Sequence, residues 1–326
     1  MTTVWLRPIL TAIAVLQVLG WDTPALTAEA TQEPPRQAFV TNQLGDSLSV
    51  VDLTTMTASA ELAVGGKPAG IAMSRSGDKA FITSPDSGEL VVVAAQALRI
   101  ESRLHIGQGP LGIAANPATD LVYVADWYAH KLIAYDAKDN KISGEVGTGK
   151  SPSGVAVAPD GNMIVTANRE DDSISLIDAN TLQHIADVKV GSHPFGVTID
   201  AAGKFAYTAN VQSNDITVVD LATRTIAATV KVGQRPYAIA LAKGLAFVTN
   251  QGSSTVSVVD LGTRVVIKTI RVGTYPEGIA ADAAGWFVYV ACWSENTLER
   301  IDVGTLGVTG KTTVGDGPRA FGSFLR

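Results

Sequence analysis

A turn-like segment of the general form V/I-G-x-x-P-x-x-I/V recurs along the chain, with its proline at 68, 110, 152, 194, 236, 276 and 318. Successive prolines are 42, 42, 42, 42, 40 and 42 residues apart. Two further ladders keep the same spacing. One closes a β-rich run at Asp52, Ala94, Asp136, Asp178, Asp220, Asp260 and Asp302; the other closes an earlier run at Asn42, Ser84, Asp126, Asn168, Asn210, Asn250 and Cys292. A fixed period of this length means one supersecondary unit, unable to bury its apolar faces alone, stacked on copies of itself.

Each unit reads as four short strands. In the fifth, Phe195–Ile199 follows the proline, Phe205–Asn210 alternates, Ile216–Asp220 is a third run and Thr225–Val232 a fourth. Val, Ile, Thr and aromatic residues bounded by Gly, Asn and Asp are strand chemistry, and no repeat sustains a helical period. Four antiparallel strands per repeat is the blade of a β-propeller. The expectation is an all-β, seven-bladed propeller over 38–324. The first repeat opens at a second strand, Ala38–Asn42, and the chain stops after a first strand, Ala320–Phe324. One blade therefore takes strands from both termini, which closes the ring without a free edge at the seam. The unit of 40 residues shortens one turn, Ala242-Lys243-Gly244 standing where the fifth repeat has Asp200–Lys204.

Phe39-Val40-Thr41-Asn42, Tyr207-Thr208-Ala209-Asn210 and Phe247-Val248-Thr249-Asn250, with the S-V-V-D and V-G-x-x-P segments, resemble the motifs of the YVTN-repeat β-propellers over residues 38 to 324. That resemblance implies an exported or surface protein, most such members having no known reaction. Related propellers are similar to the large subunit of quinoprotein amine dehydrogenases, or stand beside quinone-cofactor alcohol oxidation systems. Ser84, Ala94 and Cys292-Trp293 depart from the pattern and mark where the repeat symmetry is broken.

The N-terminus differs from the repeats. Arg7 precedes an apolar stretch, Ile9–Trp21, and Ala28-Glu29-Ala30 offers a small-residue cleavage pattern, as in a secretory signal. As a helix this stretch spans roughly 20 Å, short of the ~30 Å of a bilayer core. The expected organisation is a signal peptide at 1–30, a flexible lead-in at 31–37 and the propeller at 38–326, with the mature protein in the periplasm or secreted. Cleavage removes Arg7, Asp22 and Glu29, taking the formal charge from −6 to −5. With no basic excess, nucleic acid is not an expected partner, and no membrane span is expected after cleavage. The one cysteine, Cys292, makes no internal disulfide. The expected form is a monomer.

Repetition separates blade from site. The recurring Asn and Asp are expected to cap turns through their side-chain oxygens. Function belongs where blades differ on one face, which carries the proline turns and the loops after each second strand. The residues before the prolines are Lys67, Gly109, Ser151, His193, Arg235, Tyr275 and Gly317; those after include Phe195, Tyr237, Glu277 and Arg319. The loops add Trp127, Tyr128 and His130, then Arg169, then Cys292 and Trp293. Trp127, His130, Arg169, His193, Arg235, Tyr275 and Trp293 are the candidate binding residues, because aromatic rings and cations are the usual interface anchors. His130 and His193 alone share that face, too few for a three-histidine metal set. Neither C-x-x-C-H, G-x-S-x-G nor a P-loop occurs, and no cofactor is expected. Cys292 with His193 or His130 is a conceivable nucleophile pair; a packing role is the simpler reading. The favoured function is a non-catalytic binding or accessory propeller for a periplasmic protein or small ligand. The alternatives are a subunit of a quinoprotein-type oxidation system, or a propeller hydrolase or lyase.

Overall fold

The computed structural model describes residues 1–3 and 37–326, so the export segment, its cleavage pattern and most of the lead-in lie outside the described residues. The repeats form seven antiparallel sheets arranged as blades. Blade 1 holds Gln37–Asn42, Ser47–Asp52 and Thr57–Ala63. Blades 2 to 7 begin at Gly70, Pro110, Pro152, Pro194, Pro236 and Pro276, each with four strands in simple sequence order from the axis outwards. Among the described residues no helix is long and apolar enough to cross a membrane.

Burial follows the radial order. Second and third strands such as Phe205–Asn210 and Asp215–Asp220 are buried almost throughout, whereas outer strands such as Arg99–His105 keep alternate residues in solvent. Cores lie between blades: Tyr207 and Val218 of blade 5 pack with Ile239 and Val248 of blade 6. The innermost strands run close together. A Cβ on Gly112 would stand 1.8 Å from the Ser153 carbonyl oxygen of the next blade, so only glycine allows that approach. Hydroxyls then cross between blades: Thr41 donates to the Ala69 carbonyl at 2.8 Å, Thr83 to Leu111 at 2.7 Å, and Thr249 to Glu277 at 2.9 Å.

The termini close the ring. Asn42 pairs with Pro318 and Ala38 with Leu325, and the Phe39 amide donates to the Phe324 carbonyl at 2.8 Å. Between these points the C-terminal segment departs from the expected strand. Phe321–Ser323 bulges out of the blade and lies parallel to Gly70–Ala72 of blade 2. The terminal segment thus joins two blades, and closure reaches Arg326, whose amide donates to the Gln37 carbonyl.

The two polar ladders divide in role. The Asp ladder caps turns as expected: Oδ1 of Asp220 accepts from the Ala222 and Thr223 amides at 3.0 and 2.9 Å, and Asp52, Asp136 and Asp178 do the same. The Asn ladder requires a correction. Asn42, Asn168, Asn210 and Asn250 are fully buried, and their amide groups donate sideways to the third strand. Asn168 reaches Ser173 and Ser175, Asn210 reaches Asp215 and Thr217, and Asn250 reaches Thr255 and Ser257, all between 2.8 and 3.2 Å. They are clamps between strands, because a buried amide needs internal partners. Where the Asn is absent, the hydroxyl seven residues on is absent too: Val91 follows Ser84, Ile133 follows Asp126, and Glu299 follows Cys292.

Candidate binding face at the channel mouth

The two loop sets do share a face. In every blade but the second, the residue after the second strand donates its amide to the carbonyl of the residue before the proline: Trp127 to Gly109, Arg169 to Ser151, Val211 to His193, Gln251 to Arg235, Trp293 to Tyr275 and Gln43 to Gly317. The hydrogen bond fixes which side chains become neighbours on the rim. Tyr275 and Trp293 lie with ring centroids 6.3 Å apart. The Arg169 guanidinium stands 5.8 Å from the Trp127 ring, within cation–π range. Tyr128, 65% exposed, lays its ring over Gly109, where a Cβ would meet it at 2.5 Å.

The remaining candidates are placed separately. His130 closes its loop, its Nδ1 accepting the Ser151 amide at 3.0 Å as Asp172 and Asn214 accept the equivalent amides of His193 and Arg235. Its ring therefore has a blade task as well as an exposed position. His193 Nε2 lies 3.8 Å from Glu170 of blade 4, and Glu170 also pairs with Arg169. Arg235 is exposed on the rim of blade 6. Lys67, Ser151, His193, Arg235 and Tyr275 all hold left-handed backbone, with φ between 52° and 57°. That region favours glycine, found at the equivalent Gly317, and disfavours a bulky side chain by roughly 1–2 kcal/mol.

Cys292 is fully buried, and burial pushes its thiol far above the reactive range, with Glu299, Glu295 and Lys311 as the charged groups around it. No histidine is among them, so the nucleophile pair fails. On the adjoining loop, the hydrogen bond from Lys311 brings the Glu295 carboxyl down to about 2. Among the described residues no three His, Cys, Asp or Glu side chains converge as a metal site requires.

The residues after the prolines, two positions on from the candidates His193, Arg235 and Tyr275, form the floor of the mouth. Around the ring they are Ala69, Leu111, Ser153, Phe195, Tyr237, Glu277 and Arg319. Phe195 stacks on Tyr237 at 4.3 Å and on Phe321 at 5.1 Å, and Trp127 covers the stack at 6.3 Å from Phe195. Arg319 Nε donates to the Tyr237 hydroxyl at 3.0 Å and lies 3.2 Å from Glu277, while another guanidinium nitrogen donates to Gln43 at 3.1 Å. Gln251 donates to the second Glu277 oxygen at 2.7 Å. Burial raises the Glu277 carboxyl above the ordinary carboxylate range, opposed by the Arg319 and Arg235 charges beside it. Burial also pushes the Tyr237 phenol up. Below this plug runs a channel of about 480 Å³, lined from Met73 to Ser323 mainly by innermost-strand residues, without one titratable side chain. The signal for the floor was available in the sequence: these positions go from Ala69 to Arg319 within an otherwise regular turn.

Three comparisons bear on the chain. A sequence model of the seven-bladed β-propeller lactonase family matches residues 130–241, about a third of the length. No curated protein matches. Among solved structures, a functionally unknown protein from Desulfotomaculum acetoxidans DSM 771 superimposes with a TM-score of 0.76 at 17% identity, covering 88% of this chain and 98% of that one. Dihydro-heme d1 dehydrogenase NirN in complex with DHE gives a TM-score of 0.65 at 12% identity, covering 87% and 74%. Kuenenia stuttgartiensis hydrazine synthase gives 0.50 at 19% identity, covering 65% and 88%. At these identities the likeness is one of fold. The lactonase match takes in His130, Arg169, His193 and Arg235 and ends before Tyr275, Glu277, Trp293 and Arg319.

Proposed function

We propose that this protein is a non-catalytic binding propeller of the periplasm that takes a partner protein or small ligand on the rim of the channel mouth. The observation that carries this reading is the left-handed backbone at His193, Arg235 and Tyr275, where glycine would serve the turn better. Strain retained at three bulky side chains of the rim, Arg235 exposed and His193 and Tyr275 half-buried, points to a role outside the fold. Trp127 and Trp293 add aromatic surface at loop positions filled elsewhere by Gln43, Pro85, Arg169, Val211 and Gln251. The polar groups of the floor engage one another, so a ligand meets the rim first. Trp293→Ala and Arg235→Ala should each weaken binding about tenfold or more with little change in melting. Unchanged affinity in both would remove the rim from the reading. The export step is tested by N-terminal sequencing of the protein recovered from a bacterial periplasm, with Thr31 expected near the start and an intact Met1 in the cytoplasm refuting it.

The lactonase match favours a second reading, hydrolysis of a lactone at the mouth. Its groups lie on the floor, outside the matched residues 130–241: the buried Glu277 carboxylate to take a proton from an attacking water, and Arg319 to face the developing oxyanion. Turnover of simple γ- and δ-lactones by the purified chain, abolished in Glu277→Gln, would replace the binding role with this one.

A further inference from the structure

The outer walls of the blades are not alike. Residues 194–275, blades 5 and 6, contain eight Lys and Arg, four Asp and no Glu, a net +4 within a chain of −6. The remainder therefore carries −10. Most outer strands of the other blades carry a local ion pair: Arg103 with Glu89 at 3.2 Å, Lys141 with Asp139 at 2.7 Å, His184 with Asp187 at 2.9 Å and Lys311 with Glu295 at 2.7 Å. Lys189 of blade 4 bonds the Asp171 carbonyl instead. The outer strands Thr225–Lys231 and Val265–Arg271 contain no acidic residue. Lys231 reaches back to Asp215 at 2.9 Å, whereas the exposed Lys268 and Arg271 make no ion pair among the described residues. Arg264 donates to the Ala227 carbonyl and ties the two strands side by side.

The same wall is apolar. Ile226, Val265 and Ile267 are each at least half exposed. Ile267 is the extra residue of a β-bulge, skipped between the pairs Val258–Lys268 and Val259–Val266. In blades 1 and 3 the bulged residues are Ser59 and Ser143, whose hydroxyls turn back to the Val50 and Ala134 carbonyls. An isoleucine has no such bond to make and stands in solvent. Bulges discourage addition of a strand along the edge, so a partner meets this wall through side chains.

We propose that the outer wall of blades 5 and 6, around Ile226, Val265, Ile267, Lys268 and Arg271, docks an acidic partner protein. Apolar side chains supply the contact and the unpaired cations steer a negative surface onto it. An anionic membrane is the poorer fit, since lipid-binding segments gather about 4–8 Lys and Arg in one cluster. The wall is distinct from the rim, and its test does not depend on the rim's ligand.

Binding of the full chain to a peptide alternating Glu and Leu, to its Lys-and-Leu counterpart, and to phosphatidylglycerol vesicles decides the question. The acidic peptide should bind and the basic one should not, with affinity falling as salt rises. Lys268→Glu with Arg271→Glu should weaken the acidic peptide about tenfold, and Ile267→Ser should weaken it without changing the salt dependence. These substitutions lie in solvent and leave the core intact, which melting of each variant checks. Equal binding of both peptides, equal binding by the charge-reversed variant, or tighter binding to the vesicles than to the acidic peptide would overturn the proposal.

Discussion

The two ends of the ring are built from the same strands and obey different rules. Away from the mouth, six of seven third strands end in an Asp at the turn, with Ala94 the exception. At the mouth the equivalent positions are all different: Ala69, Leu111 and Ser153 on one side, Phe195, Tyr237, Glu277 and Arg319 on the other. What one end repeats, the other varies. Away from the mouth the Asp side chains themselves hold the turns. At the mouth the Asn clamps and the inter-blade hydroxyls, which bond main-chain carbonyls of the floor, hold the blades and leave the floor side chains free to diverge. The divergence is itself organised, since the large and charged side chains fall on consecutive blades and so can touch.

The largest expected effect breaks the floor of the mouth. Glu277→Ala leaves Arg319 buried without its carboxylate, and thermal unfolding should register a loss of about 3–5 kcal/mol. A loss below about 1 kcal/mol would mean that the charge pair is not structural. Asn210→Ala comes next. It removes three buried hydrogen bonds, two donated to Asp215 and Thr217 and one accepted from Thr208, for a loss of about 2 kcal/mol by urea unfolding. Ser84→Ala in blade 2, where the one hydroxyl partner among the described residues is the Gly65 carbonyl, should lose about half as much. Equal losses would refute the division between clamped and unclamped blades.

The two ends should also separate by pH. Amide hydrogen bonds lower the carboxyls of Asp52, Asp178, Asp220, Asp260 and Asp302. A carboxyl lowered by folding stabilises above its unfolded value, near 3.9, and loses that contribution as pH falls through the folded one. Glu277 is raised, so protonation there relieves a penalty, the opposite sign. Stability should therefore fall in acid through the caps, and Asp220→Asn should blunt the fall while Glu277→Gln should not. The smallest effect on stability belongs to the rim: Tyr275→Gly should leave melting unchanged or raise it by about 1 kcal/mol, while removing the Trp293 stacking partner from any ligand contact. A clear destabilisation would show that the tyrosine serves the blade.

The fold was legible because repetition reports it three times over, and blade count, strand order and closure all follow from the ladders. The Asn clamps were misread because a side chain's direction is set by pleat and burial, and the partners at five and seven residues on become visible only once the third strand is placed. On the mouth, attention to the turn favoured Arg235 and Tyr275 over their neighbours. The proline fixes the turn, and the residue after it enters the innermost strand buried, which is why Tyr237, Glu277 and Arg319 form the floor. The bulge of Phe321–Ser323 onto blade 2 leaves a single mark in the sequence, Gly322, whose positive φ and close approach to the Ile71 carbonyl require glycine. One glycine does not say which blade it meets.

Closure by the last residues also orders events in time. The contact between Gln37 and Arg326 joins residues 289 apart in sequence, so the seam forms only once everything from Gln37 to Arg326 has been synthesised. Until then blade 1 offers the inner edge of Gln37–Asn42 unpaired, and local blade contacts can mature while that edge waits. A neighbouring copy carries the same C-terminal segment and can insert it first, so crowded nascent chains face a choice between a sealed ring and strands exchanged between copies, decided by effective concentration.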